Sequence, residues 1–153
     1  MKAGETFRIV LDVNVIISGL INPSGVPGLI LREIMSDAAS LRLIVSRAVL
    51  DELQAVIAYP SVKRYLKVDE SKIRNLLVDF ELVAELHDTA GHSIDMHSSD
   101  SDDDKYLLLA EAAKPDFLVS GDEHLTVLKT IGGVAILSPR EFWNLFQKRS
   151  SVH

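Results

Sequence analysis

The 153-residue chain contains no cysteine, which excludes disulfides and thiolate metal sites. This absence fits a reducing compartment, and we expect a cytoplasmic protein. No apolar run approaches the roughly 18 residues that a membrane span needs. The N-terminal stretch also lacks the positive-then-apolar order of a signal peptide. We therefore expect neither a membrane segment nor a secretory signal.

Positive charge is also in short supply, because 16 Lys and Arg residues face 22 Asp and Glu residues, giving a formal charge of −6. This balance argues against general electrostatic attraction to nucleic acid. The composition, 47% hydrophobic and 25% charged, is ordinary for a globular protein. The length predicts a single domain over residues 1–153, with a core at about 7–147 and a short disordered C-terminal tail.

Strand-like and helix-like segments alternate along the chain, the pattern of βαβ units around a parallel sheet. The predicted strands are residues 7–11, 41–45, 83–86, 117–120 and 134–137. The predicted helices are residues 26–37, 47–58, 70–82, 105–113 and 139–146, with a short helix before Gly132. Ser46 and Asp69 occupy N-cap positions, and residues 138–141 (SPRE) form a capping box with proline at the first helical position.

Four acidic clusters adjoin these apolar segments. Asp12 and Asp122 each follow a strand, Glu52 lies inside an apolar helix, and residues 102–104 (DDD) open another helix. The carboxyl ends of parallel strands form the edge where ligands bind. Isolated carboxylates there are costly unless a cation or a hydrogen-bond donor meets them. An oxygen-rich, strongly negative pocket at this edge suits Mg²⁺ or Mn²⁺.

Each acid also has an ordinary structural explanation. An Asp at a strand end is often a turn former or helix cap, and Glu52 is compatible with a solvated helix face. Acids in a first helical turn interact favourably with the helix dipole, by about 0.3–1 kcal/mol. Asn14 fits two roles, because its amide can orient a carboxylate or close an Asx-turn. The joint occurrence of all four clusters favours a cation site.

The four clusters in this order resemble the PIN-domain ribonucleases. The resemblance rests on residues 9–18 (IVLDVNVIIS), 45–46 (VS), 50–53 (LDEL), 102–110 (DDDKYLLLA) and 117–122 (FLVSGD). Residues 136–142 (ILSPREF) are similar to the family's branch of toxins from toxin–antitoxin pairs. The resemblance spans about residues 7–143. It implies a three-layer α/β/α domain with a central, mostly parallel sheet of about five strands, and metal-dependent hydrolysis of RNA.

The resemblance also implies a set of site residues. The family's catalytic acids fall on Asp12, Glu52, Asp104 and Asp122. Of these, Asp12, Asp104 and Asp122 would bind one or two Mg²⁺ or Mn²⁺ ions. Asn14 and Ser120 match supporting polar positions. The third acid is Asp104 or its supporting neighbour Asp103, and we favour Asp104.

The implied partners are an RNA substrate, a cognate antitoxin and a second copy of the chain. The candidate RNA-contacting side chains are Lys63, Arg64, Lys67 and Lys105. They are equally compatible with a solvated helix face or with pairing to nearby acids. The alternative function is a PIN-like module that binds RNA or protein with weak or no nuclease activity.

Overall fold

The computed structural model describes residues 6–36, 40–66, 69–93 and 103–150. Its strands are β1 (Phe7–Leu11), β2 (Leu41–Val45), β3 (Glu85–Leu86), β4 (Phe117–Val119), β5 (Thr130–Ile131) and β6 (Val134–Leu137). Its helices are α1 (Val13–Ile21), α2 (Val26–Met35), α3 (Arg47–Ile57), α4 (Pro60–Leu66), α5 (Glu70–Val83), α6 (Asp104–Ala113), α7 (Glu123–Thr126) and α8 (Pro139–Ser150).

The sheet has the strand order β3-β2-β1-β4-β6-β5, and every pair is parallel except the antiparallel β5–β6 pair. β1 lies between β2 and β4, so the chain changes direction across the sheet at this point. Leu11 at the end of β1 is paired with Val119 at the end of β4. In parallel sheets such a switch point opens a crevice at the carboxyl ends of the strands.

Helices cover both faces of the sheet. Phe7 and Arg8 are neighbours on β1 and therefore point to opposite faces. The Phe7 ring lies 6.2 Å from the ring of Phe146 on α8. The Arg8 Nη1 donates to the carbonyl of Ala113 at the end of α6, at 3.1 Å. The predicted three-layer α/β/α architecture with a mostly parallel sheet is confirmed.

Several local predictions agree with the structure. β1, β2 and β6 have the predicted bounds. Ser46 Oγ accepts from Val49 N at 3.2 Å to cap α3, and Asp69 Oδ1 accepts from Lys72 N at 2.9 Å to cap α5. The predicted capping box opens α8 through reciprocal bonds between its first and last residues. α8 continues to Ser150, past the predicted end at residue 146, and the tail residues 151–153 lie outside the described part of the chain.

Two helices were not predicted. α1 is rich in β-branched residues, which favour strands in isolation, but Val13, Ile16 and Ile17 are all buried in the helix. Packing has overridden intrinsic propensity here. α4 begins at Pro60, just after the predicted end of the preceding helix at residue 58. Proline suits a first helical turn, and only Ala58 and Tyr59 separate α3 from α4.

The sheet also has one strand more than the predicted five. β5 pairs with β6 through a two-residue connection in which Gly132 has φ 55° and Gly133 has φ 84°. Two consecutive left-handed residues are what a tight hairpin turn of this kind requires. β5 is only two residues long, which is why its sequence carries little strand signal.

The helices of the described residues are short or bent relative to the thickness of a bilayer. None of them is singly long and apolar enough to cross a membrane. α1 and α2 reach that length and composition only as a pair, and they are bent by 98° at the break between them.

Candidate active site

The ends of β1 and β4 are joined by a buried hydrogen-bonded chain. Asp12 follows β1 and is only 2% exposed. Its Oδ2 accepts from Ser120 Oγ at 2.8 Å, and the same Ser120 Oγ accepts from the backbone N–H of Asp122 at 3.0 Å. Asp12 Oδ1 accepts from the backbone N–H of Asn14 at 3.0 Å. Side chains 108 positions apart are thus fixed against each other at the carboxyl edge of the sheet.

Asp12 and Asp122 both cap helices, as their ordinary structural explanation predicted. Asp12 caps α1 through Asn14 N, and Asp122 Oδ1 caps α7 by accepting from His124 N at 2.9 Å. A carboxylate has about four lone-pair sites on its two oxygens, so one or two such bonds do not exhaust it. Capping therefore holds these acids in place without preventing a cation from binding them.

Glu52 reaches the same edge from α3. The buried residues Val49, Leu50 and Leu53 hold this helix against the core, which leaves Glu52 half-buried. Glu52 Oε1 accepts from the hydroxyl of Tyr106 at 2.6 Å. Its Oε2 forms an ion pair with Lys105 Nζ, and the two side chains are 23% and 24% exposed.

Tyr106 is a site residue that the sequence reasoning missed. It is 1% exposed, and its hydroxyl donates to Glu52 while accepting from the backbone N–H of Val13 at 3.1 Å. Burial, followed by the negative charge of Asp12, raises the pKa of Tyr106 well above its usual value. The hydroxyl therefore stays protonated and remains a donor. The available signal was a tyrosine at the start of the apolar run 106–110 (YLLLA), since a buried tyrosine hydroxyl needs a partner.

The acids surround a cavity of about 390 Å³, which we call the acidic cavity. It is lined by Asp12, Asn14, Glu52, Val56, Tyr59, Asp103, Lys105 and Asp122. Asp103, rather than the favoured Asp104, is on this wall. Asp103 is 7% exposed and makes no capping hydrogen bond to α6, although it directly precedes that helix. Asp104 lies in the first turn of α6, and Asp102 falls outside the described residues.

A second cavity of about 320 Å³ adjoins the first and shares Asp12, Asn14 and Asp122 with it. Its remaining wall is less charged and includes Ser18, Pro27, Gly121 and Pro139, among others. Tyr59, at 54% exposure, is the accessible aromatic side chain on the acidic cavity's wall. The central acids are therefore open to a ligand from two sides.

The candidate RNA-contacting residues are divided by the structure. Lys63 pairs with Glu70 at 3.3 Å and lines a separate cavity between α3, α4 and α5. Arg64 is exposed on α4, and Lys67 lies outside the described residues. Of the four, Lys105 is the one that lines the acidic cavity. Burial lowers the pKa of the Lys105 ammonium, and the negative charge of Asp12 opposes that shift.

The donor set of the acidic cavity fits a hard divalent cation, because most of the polar side chains that line it are carboxylates. Within the described ranges, no three acidic, histidine or cysteine side chains stand close enough together to hold an ion. Glu52 is instead engaged with Lys105 and Tyr106. Mg²⁺ usually keeps several waters and uses only one or two carboxylates, so the residues present remain compatible with it.

The similarity to known proteins agrees with this geometry. The family model described as PIN domain matches residues 8–124. A protein of Methanocaldococcus jannaschii, named "Uncharacterized protein MJ1680", is 29% identical over 150 residues, which cover 92% of each chain. No solved structure matches the chain significantly. With its strand-end acids gathered at the switch point and the family model covering most of its length, the chain belongs to the PIN domain family, whose members are generally nucleases.

Proposed function

We propose that the protein is a divalent-metal-dependent endoribonuclease. The observation that carries the proposal is the gathering of carboxylates from four separate chain segments around one cavity. The proposed catalytic acids are Asp12, Glu52, Asp103 and Asp122. Asp103 replaces Asp104 in this set because Asp103 lines the acidic cavity. Such a concentration of negative charge is costly for the fold alone, and a bound cation offsets that cost.

Asp12 and Asp122 would hold one or two Mg²⁺ or Mn²⁺ ions directly, and Asp103 would contact a metal-bound water. Bound there, the metal supplies an activated water and stabilises the charge that develops on the phosphodiester. Ser120 keeps the Asp12 carboxylate and the Asp122 backbone in register, and Tyr106 orients Glu52. These fixed partners reduce the reorganisation that the carboxylates need when a ligand binds.

Single-stranded RNA is the proposed substrate class. A flexible strand can bring its backbone to the central acids while its neighbouring nucleotides occupy the two adjoining cavities. Exposed Tyr59 can stack on an unpaired base, and base–aromatic stacking contributes about 1–3 kcal/mol. Lys105 supplies positive charge for a phosphate on the same wall.

The biological role we propose is that of the toxin in a type II toxin–antitoxin pair. Support comes from the resemblance of residues 136–142 (ILSPREF) to the toxin branch of the family. An antitoxin or a second copy needs apolar surface, and Val78, Leu82 and Leu86 are more than half exposed on α5 and β3. Growth arrest on expression, relieved by co-expression of the neighbouring small reading frame, tests this role.

A second candidate function is a PIN-like module that binds RNA or protein with weak or no nuclease activity. The observation that favours it is the ion pair between Glu52 and Lys105, which engages one of the four acids with a side chain of the same protein. Retention of all four acidic positions favours the enzyme.

Cleavage of 5′-labelled RNA separates the two candidates. The purified protein is incubated with single-stranded RNA, and with DNA of the same sequence, in Mg²⁺, in Mn²⁺ or in EDTA. We expect metal-dependent internal cuts in RNA that leave 5′-phosphate and 3′-hydroxyl ends and that disappear in the Asp122→Asn variant. Tight RNA binding without cleavage under either metal would establish the binding module instead.

A further inference from the structure

Lys105 occupies an unusual position on the wall of the acidic cavity. Among the described residues that line this cavity, it is the one basic side chain facing four carboxylates. Its Nζ pairs with Glu52 Oε2, and the ammonium also lies 5.7 Å from the centre of the Tyr106 ring. Both interactions place a positive charge where the proposed function requires a metal ion.

The two oxygens of Glu52 are held from different sides. Oε1 is bound by the hydroxyl of Tyr106, which is itself fixed by Val13 N in the buried interior. Oε2 is bound by Lys105, whose side chain is 24% exposed at the open side of the cavity. Tyr106 can therefore keep Glu52 in position while Lys105, on its flexible four-carbon stem, exchanges with another cation.

We propose that Lys105 is a tethered cation that holds Glu52 in the metal-free protein and leaves it when a divalent ion enters the acidic cavity. This inference rests on the proposed function. An ammonium and a divalent ion compete for the negative charge of one cavity, and an ion held by Asp12 and Asp122 repels the Lys105 ammonium on the same wall. On leaving Glu52, the ammonium stays at the cavity wall, where it can meet a substrate phosphate.

The first test is calorimetric titration of Mn²⁺ into the wild type and into Lys105→Met. The variant no longer has to give up the pairing with Glu52, so its dissociation constant for Mn²⁺ should be roughly tenfold lower.

The matched control is Lys148→Met, which removes the same charge from an exposed position on α8. It precedes Arg149, which reaches Ser40 O beside the start of β2, so this control lies at the opposite edge of the sheet. Its Mn²⁺ affinity should change by less than about twofold.

The second test separates displacement from a general change in charge. Without metal, Lys105→Met should melt at a lower temperature than the wild type, because the half-buried Glu52 loses a partner. Saturating Mn²⁺ should remove most of this difference, because Lys105 has left Glu52 in the metal-bound wild type, which then lacks the same contact as the variant. A melting difference that persists unchanged at saturation would overturn the proposal, and so would a metal-free variant as stable as the wild type.

The outcomes also separate this inference from the proposed function. If the wild type and Lys105→Met bind Mn²⁺ with equal affinity, the proposal that metal displaces Lys105 is wrong, and the proposed metal-dependent enzyme is unaffected. If neither protein binds Mn²⁺ or Mg²⁺, the proposed function fails and the inference fails with it. Weaker Mn²⁺ binding by Lys105→Met would show that the lysine supports the metal site. It would also contradict the proposal that metal displaces Lys105.

Discussion

The two edges of the sheet treat charge differently. Near the amino-terminal edge, the Arg8 guanidinium donates to Glu85 Oε2 at 2.7 Å and to the carbonyls of Ala113 and Lys114. The backbone N–H of the same arginine is bound by Asp116 Oδ2 at 2.8 Å. At the carboxyl-terminal edge, four carboxylates line the acidic cavity together with a single lysine. The first edge is balanced within the chain, and the second has an excess of negative charge.

A second arginine strengthens the contrast. Arg149 lies over the rings of Phe7 and Phe146, at 5.1 and 5.0 Å, and its Nη1 reaches the carbonyl of Ser40. These contacts pack the guanidinium against the amino-terminal edge, where its Nε has no hydrogen-bond partner among the described residues. At the other edge, four carboxylates line the acidic cavity with Lys105 as the basic side chain on the same wall. The excess of carboxylates therefore marks the carboxyl-terminal edge as the candidate functional edge.

The largest expected effect comes from a matched pair of aspartates. Asp12 and Asp116 each accept a backbone N–H, but at opposite edges. Asp12→Asn should reduce RNA cleavage by roughly a hundredfold to a thousandfold, because a charged group beside the reacting phosphate is lost. Asp116→Asn should leave the rate unchanged. Circular dichroism checks that both variants fold. Equal cleavage rates in the two variants would contradict a functional difference between the two edges of the sheet.

The next effect sharpens the identity of the third acid. Asp103→Asn should lower Mn²⁺ affinity and cleavage by about a hundredfold, because Asp103 lines the acidic cavity. Asp104→Asn should change both by less than about tenfold, since its main role is in the first turn of α6. Calorimetry and initial rates measure the two. A larger loss of Mn²⁺ affinity and cleavage in Asp104→Asn than in Asp103→Asn would identify Asp104 as the third acid.

A serine pair gives a smaller effect. Ser120→Ala removes the hydroxyl that joins Asp12 to the Asp122 backbone, leaving buried groups unsatisfied at a cost of about 1–3 kcal/mol in unfolding free energy. It should also weaken Mn²⁺ binding. Ser138→Ala removes only the capping bond of α8 and should cost about 1 kcal/mol. Urea denaturation and calorimetry distinguish them, and unaltered metal binding in Ser120→Ala would deny that this serine positions the acids.

The smallest effect concerns Glu85, which pairs with Arg8. Partial burial raises the pKa of Glu85, but hydrogen bonds from Arg8 and His87 outweigh it and bring the pKa below its ordinary 4.5. Because the folded pKa is the lower one, the stabilisation is present above pH 4.5 and is lost as pH falls through the folded value.

Glu85→Gln should therefore cost less than about 1 kcal/mol at neutral pH, since the pair is partly exposed and screened by solvent. The difference from wild type should shrink as pH falls below 4.5 in urea unfolding experiments. Cleavage at neutral pH should be unaffected. A difference in unfolding free energy that grows in acid would reverse the assigned direction of the pKa shift.

Patterns confined to one segment were predicted well. Phe7–Leu11 and Leu41–Val45 are continuous apolar runs with the bounds expected of buried parallel strands. The caps at Ser46 and Asp69 depend on residues two or three positions apart, so local sequence contains all the information they need.

Features that depend on distant partners were harder to predict. α1 forms because Val13, Ile16 and Ile17 are buried by the rest of the fold. Their β-branched side chains favour strands in isolation, so the local sequence does not indicate a helix. Tyr106 acquires its role from Glu52 and Val13, which are 54 and 93 positions away. The choice between Asp103 and Asp104 depends on how α6 begins, and one residue along a helix turns a side chain by about 100°.

The most direct measurement is anomalous diffraction from crystals of the protein soaked with Mn²⁺. We predict a manganese peak in the acidic cavity, in direct contact with carboxylate oxygens of Asp12 and Asp122. In the same crystals, the Lys105 ammonium should have moved away from Glu52. Soaked crystals without a peak there, or with manganese bound only at other surfaces, would contradict a metal-dependent site at this edge of the sheet.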